Sequence, residues 1–142
     1  MRQQAAQRRR RAVGLMAAAL AVAAGTTGCS GTPDPEGFAE RPALASCGEI
    51  TLDQGQGVPD DSWACLDAAA ADGSGAELTV SMPTVEGDQI VTYYRVGRGI
   101  DGLEVYVDAS ADRFAGPDAR GWVHQLCPGT VKVAEPLGCR DA

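Results

Sequence analysis

The residues of this 142-residue chain that could do chemistry are five cysteines, one histidine and a scatter of carboxylates. The cysteines are Cys29, Cys47, Cys65, Cys127 and Cys139. An odd number in an exported protein implies that one is used for something other than pairing. His124 is the only histidine, and no serine stands in a G-x-S-x-G setting. A small envelope enzyme acting through His124 is therefore an alternative; the plainer expectation is a partly exposed residue beside Trp122. Gly97-Arg98-Gly99-Ile100-Asp101-Gly102 spells G-x-G-x-x-G. A dinucleotide fingerprint needs a helix to open there, and a strand pattern follows instead, so a hairpin turn is expected. Asp108 and Asp112 stand four apart, with Glu104 and Asp118 near them, but the spacing and glycine of a calcium loop are missing. We expect Asp108 or Ser110 to cap a turn, Asp112 to pair with Arg113, and Phe114 to anchor the segment. No metal, no cofactor and no enzymatic activity are expected.

The N-terminus explains the odd cysteine. Met1 to Arg11 is cationic, with Arg8 to Arg11 consecutive, and Ala12 to Ala24 is apolar. Thirteen apolar residues suit the h-region of an export signal and are too few to span a bilayer. Thr26-Thr27-Gly28-Cys29 then resembles a bacterial lipobox, with Thr26 where an aliphatic residue is usual. Its cysteine would be diacylated and become the first residue. Residues 1–28 are read as a lipoprotein signal peptide, leaving four cysteines free to pair in an oxidising exterior. An ordinary signal cleaved after Ala21-Val22-Ala23 is the competing reading. The paired arginines also invite twin-arginine export, although Gly14 stands where a bulky apolar residue is wanted.

Beyond residue 28 the chain holds seven basic and nineteen acidic residues, a net charge near −12. That argues against nucleic acid as a partner and against docking of the folded part on an anionic bilayer. Residues 29–46 carry three prolines and little apolar periodicity, and read as a disordered tether. Residues 47–142 read as one small domain.

Its elements follow from patterning. GEITL, residues 48–52, suggests a short first strand. Asp60 to Asp72 suggests a helix, with Asp60 and Asp61 as N-cap and first-turn acids, Gly73 as terminator, and Trp63, Leu66 and Ala70 as the buried stripe. Glu77–Met82, Ile90–Val96 and Leu103–Asp108 alternate cleanly and are separated by turn formers, which predicts an antiparallel meander. Gly121–Leu126 is compatible with a helical turn or a strand, and Val131–Val133 with a short edge strand. The fold class is therefore α+β: a small antiparallel sheet, a three-stranded meander plus short extra strands, one helix on its apolar face, and two disulfides. Local pairing, Cys47–Cys65 and Cys127–Cys139, is expected ahead of Cys65–Cys127 with Cys47–Cys139.

Register locates a candidate binding face. A turn centred between Gly99 and Ile100 sets Tyr93 opposite Tyr106 and Arg95 opposite Glu104, and pairing Met82 with Ile90 sets Glu77 opposite Arg95. A one-residue slip would turn each apolar set out to water. Tyr93, Arg95, Glu104 and Tyr106 would then share the polar face, either as a solvated salt-bridge ladder or as a tyrosine-rich platform for a partner.

Thr84-x-Glu86-Gly87-Asp88-x-Ile90, followed by Asp108-x3-Asp112-x-Phe114, resembles a domain of unknown function found in secreted and lipid-anchored proteins of Gram-positive (actinobacterial) bacteria. That pattern runs T-x-E-G-D-P-I and ends D-x-x-x-D-x-F-G; here Gln89 replaces the proline and Ala115 precedes Gly116. The resemblance implies a shared fold and an envelope location, and no activity. Ala64-Cys65-Leu66-Asp67-Ala68 on a helix and the Cys127-Pro128-Gly129 segment are weakly similar to the subtilisin inhibitors of actinobacteria. Together these features imply an exported protein, held on the extracytoplasmic side of the cell membrane by lipid on Cys29. It would serve as a binding module for a protein or small molecule of the envelope. A protease-inhibitor-like protein is the alternative.

Overall fold

The computed structural model of the chain describes Asp34, Pro35 and residues 37–142. The expected signal peptide and Cys29 lie outside the described residues. Seven elements follow in chain order: β1 (Ala45–Thr51), α1 (Asp60–Asp72), β2 (Ala76–Pro83), β3 (Gln89–Val96), β4 (Leu103–Asp108), β5 (Trp122–Cys127) and β6 (Arg140–Asp141). The strands lie in one sheet in that same order. β1 is parallel to β2, and every later neighbour is antiparallel. α1 is the crossover that a parallel pair requires. The sheet thus has six strands, mostly antiparallel, where a three-stranded meander with short additions was expected.

Alternation decides which side is buried. Leu78, Val80, Val96, Leu103, Val105 and Cys127 face α1 and, with Leu66 and Ala69 of the helix, form the core. Ala69 takes the buried place expected for Ala70, which is exposed, because Trp63, Leu66 and Ala69 recur every three residues along one side. Trp63 meets Tyr94 edge-on at 5.1 Å between ring centroids. The N-cap is Pro59 and not Asp60, with no capping side chain; its carbonyl accepts from the N–H groups of Ser62 and Trp63. Asp60 and Asp61 lie in the first turn, where acids complement the helix dipole.

Both disulfides follow the local scheme. Cys47 is an extra residue in β1, since the register with β2 passes from Ser46 directly to Gly48. The bulge is closed by the Gly48 N–H donating to Ser46 Oγ, and Cys47 bonds Cys65 of α1. Cys127 bonds Cys139, turning the chain so that β6 adds beside β5. Val131–Val133 is therefore not an edge strand. Val133 is buried and donates its N–H to Asp67 Oδ1 of α1, while Val131 stays exposed.

The glycines of the G-x-G-x-x-G stretch are set by close backbone approach. A Cβ on Gly97 would lie 2.6 Å from Gly75 Cα, and one on Gly102 would collide with the Cys127 carbonyl. Both have positive φ, at 76°.

A core this small depends on its cross-links. Replacing Cys47 and Cys65 together by serine opens a link between residues 18 apart, and should lower the unfolding free energy by about 3 kcal/mol in the chain-entropy model. Urea denaturation under non-reducing conditions measures it, and an unchanged midpoint would contradict the assignment.

Candidate functional site

The side of the sheet away from α1 is built in rows. Glu77, Arg95, Glu104 and Leu126 are directly opposed across β2 to β5, and so are Thr79, Tyr93, Tyr106 and His124. Asp108 opposes Trp122 in the next row. The register of β2, β3 and β4 is the one read from the sequence; the pairing of β5 is not read there. The hairpin glycines fix one end of β3, and the inward apolar set allows no one-residue slip.

The expected exposure is corrected. Arg95 is only 3% exposed, Tyr106 is buried, and neither a solvated ladder nor an open platform describes them. The last part of the expected tether lies across this face as a strap, residues 37–44. Phe38 is buried, its ring 5.0 Å from Tyr93, 5.1 Å from Tyr106 and 4.4 Å from Trp122. Arg41 donates from Nε and Nη2 to the two carboxylate oxygens of Glu77, both at 3.1 Å. Its guanidinium also sits 3.8 Å from the centroid of the Phe38 ring. Arg95 donates to the Pro42 carbonyl at 2.8 Å. β1 itself begins at Ala45, inside the segment read as tether.

Arg95 is the centre of a charge network. Its Nη1 donates to Glu104 Oε2, and its Nε lies 2.9 Å from Glu77 Oε2 as an ion pair, though not aligned as a hydrogen bond. Glu104 Oε1 accepts from the Tyr106 hydroxyl and lies 3.1 Å from His124 Nε2. His124 stacks on Tyr106, rings 4.1 Å apart and 8° from parallel. Burial first, and then Glu104, push the Tyr106 phenol up, and burial pushes Tyr93 up. Both therefore stay protonated, as donors and rings, at neutral pH. Arg41 and Arg95 balance Glu77 and Glu104. Between the strap and the β3–β4 hairpin opens a cavity of 370 Å3, lined in part by Glu40, Arg41, Pro42, Arg95, Ile100 and Tyr106.

The other candidates lie elsewhere. Asp108 Oδ1 accepts from the Ser110 N–H, and Asp112 Oδ1 from the N–H groups of Phe114 and Ala115, so both hold the turn they sit in. Among the described residues no three metal-ligating side chains gather. Arg113 pairs with Asp88 and not with Asp112, and Phe114 is 67% exposed and anchors nothing. Asp88 accepts from both the backbone N–H and the Nε of Arg113, joining the two halves of the 84–116 pattern. The Arg113 backbone N–H is the main cause that holds the Asp88 carboxyl below the usual carboxylate range.

Sequence reasoning missed Phe38, Arg41 and Pro42. Their signal was present, since Phe38 and Arg41 are the one aromatic and the one basic residue of the 29–46 segment. Compared with known protein families, curated proteins and solved structures, the chain matches none.

Two outcomes are expected. Phe38→Ala removes a buried ring from three aromatic neighbours and should lower the unfolding free energy by about 3 kcal/mol, the lower end for buried phenylalanines. Denaturant unfolding followed by tryptophan fluorescence measures this; an unchanged midpoint contradicts docking of the strap. Asp88 has a lower pKa folded than unfolded. Its stabilisation is therefore present above the unfolded value near 3.9 and lost as pH falls through the folded one. Asp88→Asn should lower Tm at pH 7 and flatten the acid side of the Tm–pH curve. A variant curve parallel to the parent's would contradict this.

Proposed function

We propose that the chain is a lipid-anchored binding module of the bacterial cell envelope, with its recognition site on the strap-covered face of the sheet. One observation carries the reading: β2 to β5 hold aromatic rings and an ion network as a socket, and that socket takes up a peptide segment whose Arg41 balances its excess negative charge. Sites on strands are held more accurately than sites on loops. The two disulfides indicate an oxidising compartment. No described helix is long and apolar enough to cross a membrane. With Cys47, Cys65, Cys127 and Cys139 paired, Cys29 is the odd cysteine, which supports its lipidation. The resemblance of residues 84–116 to secreted and lipid-anchored proteins of Gram-positive bacteria agrees with that location.

Binding is favoured over catalysis because His124 is engaged by Glu104 and Tyr106, and Glu104 is in turn engaged by Arg95.

The test uses intact cells. Cys29→Ala should move the protein from the membrane fraction to the medium, and a photocrosslinker at Ile100, on the cavity rim, should capture an identifiable partner. The same crosslinker at Val85, on the exposed far hairpin, should not. Retention of a Cys29 variant whose signal has been cleaved contradicts the anchor. Capture from Val85 alone, or from neither position, contradicts the site.

A further inference from the structure

The strap is held as a ligand is held. Its own backbone bonds run within it, from the Phe38 N–H to the Pro35 carbonyl and from the Arg41 N–H to the Phe38 carbonyl. Arg41 Nη1 also donates to the Phe38 carbonyl at 3.0 Å, which fixes the spacing between ring and guanidinium. Toward the sheet, among the described residues, three features dominate. The Phe38 ring lies among Tyr93, Tyr106 and Trp122, the Arg41 fork sits on Glu77, and the Pro42 carbonyl accepts from Arg95. The sheet thus reads an aromatic side chain, an arginine three positions later, and the carbonyl after it. It does so through side chains and not by adding a strand.

Charge sets the chemistry of anything that replaces the strap. Without Arg41 the socket holds Glu77 and Glu104 around a single guanidinium, Arg95, and is acidic by one charge while His124 is neutral. An incoming segment must bring one cation, placed at Glu77, and one ring, placed against Trp122. Arginine suits this better than lysine, because its planar fork matches both carboxylate oxygens and stacks on a ring. The acidity of the chain beyond residue 28 draws a cationic segment toward it.

We propose that the socket is a recognition site for protein segments of the form aromatic-x-x-Arg, and that residues 38–42 are its intramolecular occupant, which such a segment displaces. This rests on the binding-module reading and names the partner chemistry for that site. A tethered occupant competes at an effective concentration of order millimolar, so the parent protein binds the segment weakly until its own strap is lifted.

The test uses the chain beyond residue 28, parent and Phe38→Ala/Arg41→Ala, with a fluorescein-labelled peptide of the sequence of residues 34–44 followed by anisotropy. Near-UV circular dichroism checks folding. The double variant should bind the peptide at least tenfold more tightly than the parent. Replacing the phenylalanine or the arginine of the peptide by alanine should each weaken binding at least tenfold, as should Glu77→Gln in the protein. If the double variant does not fold, Arg41→Ala alone keeps the ring in place, and should still gain at least threefold. A folded variant that binds no better than the parent, or binds a scrambled peptide equally, overturns the proposal. If that happens while capture from Ile100 persists, the module stands and this partner chemistry fails. If the peptide binds as expected and Ile100 captures nothing, the chemistry stands and the cellular reading fails.

Discussion

A buried guanidinium organises half of this molecule. Arg95 sits near the C-terminal end of β3 with almost no solvent contact, and an unpaired charge there would cost several kcal/mol. It needs a carboxylate on each side, which only the neighbouring strands can supply. Glu77 and Glu104 do so because β2 and β4 both pair with β3 in the one register that sets them opposite it. Two carboxylates then exceed one guanidinium, and Arg41 restores neutrality by closing on Glu77 from above. Nη2 of Arg95 finds the Pro42 carbonyl. Placement of the strap follows from completing the electrostatics of one side chain.

The two sides of the sheet are held by different physics. Toward α1 the contacts are mostly aliphatic and non-directional, the Trp63–Tyr94 edge contact aside, and tolerate approximate shape as long as volume is kept. On the strap side the contacts are ring faces, forks and carboxylate lone pairs, which tolerate little displacement. A sheet with one helix on one side would leave Tyr93, Tyr106 and Trp122 half-exposed as an aromatic patch. The strap covers that patch with one phenylalanine, and the arginine three residues on locks it down. The disulfides act elsewhere, Cys47–Cys65 tying β1 to the helix and Cys127–Cys139 turning the chain back for β6. Neither restrains the strap, so this segment depends on its side-chain contacts.

Patterning carried the helix and the register of β2, β3 and β4 because each has a strict period and the turns between strands are short. It failed where the deciding contact is distant. The parallel pairing of β1 depends on α1 crossing the sheet, and a first strand of five residues carries no sign of direction. Val131 and Val133 look like strand residues, but the Cys127–Cys139 closure and the bond to Asp67 outweigh their β preference. Arg113 lies beside Asp112 in sequence and bonds Asp88, 25 residues away. For the site, the strand-borne residues could be read and the covering ones could not. Proline and small polar residues make 29–46 look like solvent-exposed chain, and local composition cannot show that Phe38 meets three rings contributed by three strands.

Docking of the strap also changes reach. Phe38 stands nine positions after Cys29, and Ala45, the start of β1, sixteen. Extended at about 3.3 Å per residue, the first distance spans at most about 30 Å and the second about 53 Å. With Cys29 lipidated as proposed, a docked strap keeps the sheet within the shorter distance of the membrane, with the socket filled. A displaced strap opens the socket and lengthens the tether in the same event. A partner that supplies its own ring and arginine therefore has two consequences from one exchange of contacts. Neither needs a rearrangement of the sheet, because Arg95 keeps both glutamates in place while the occupant changes.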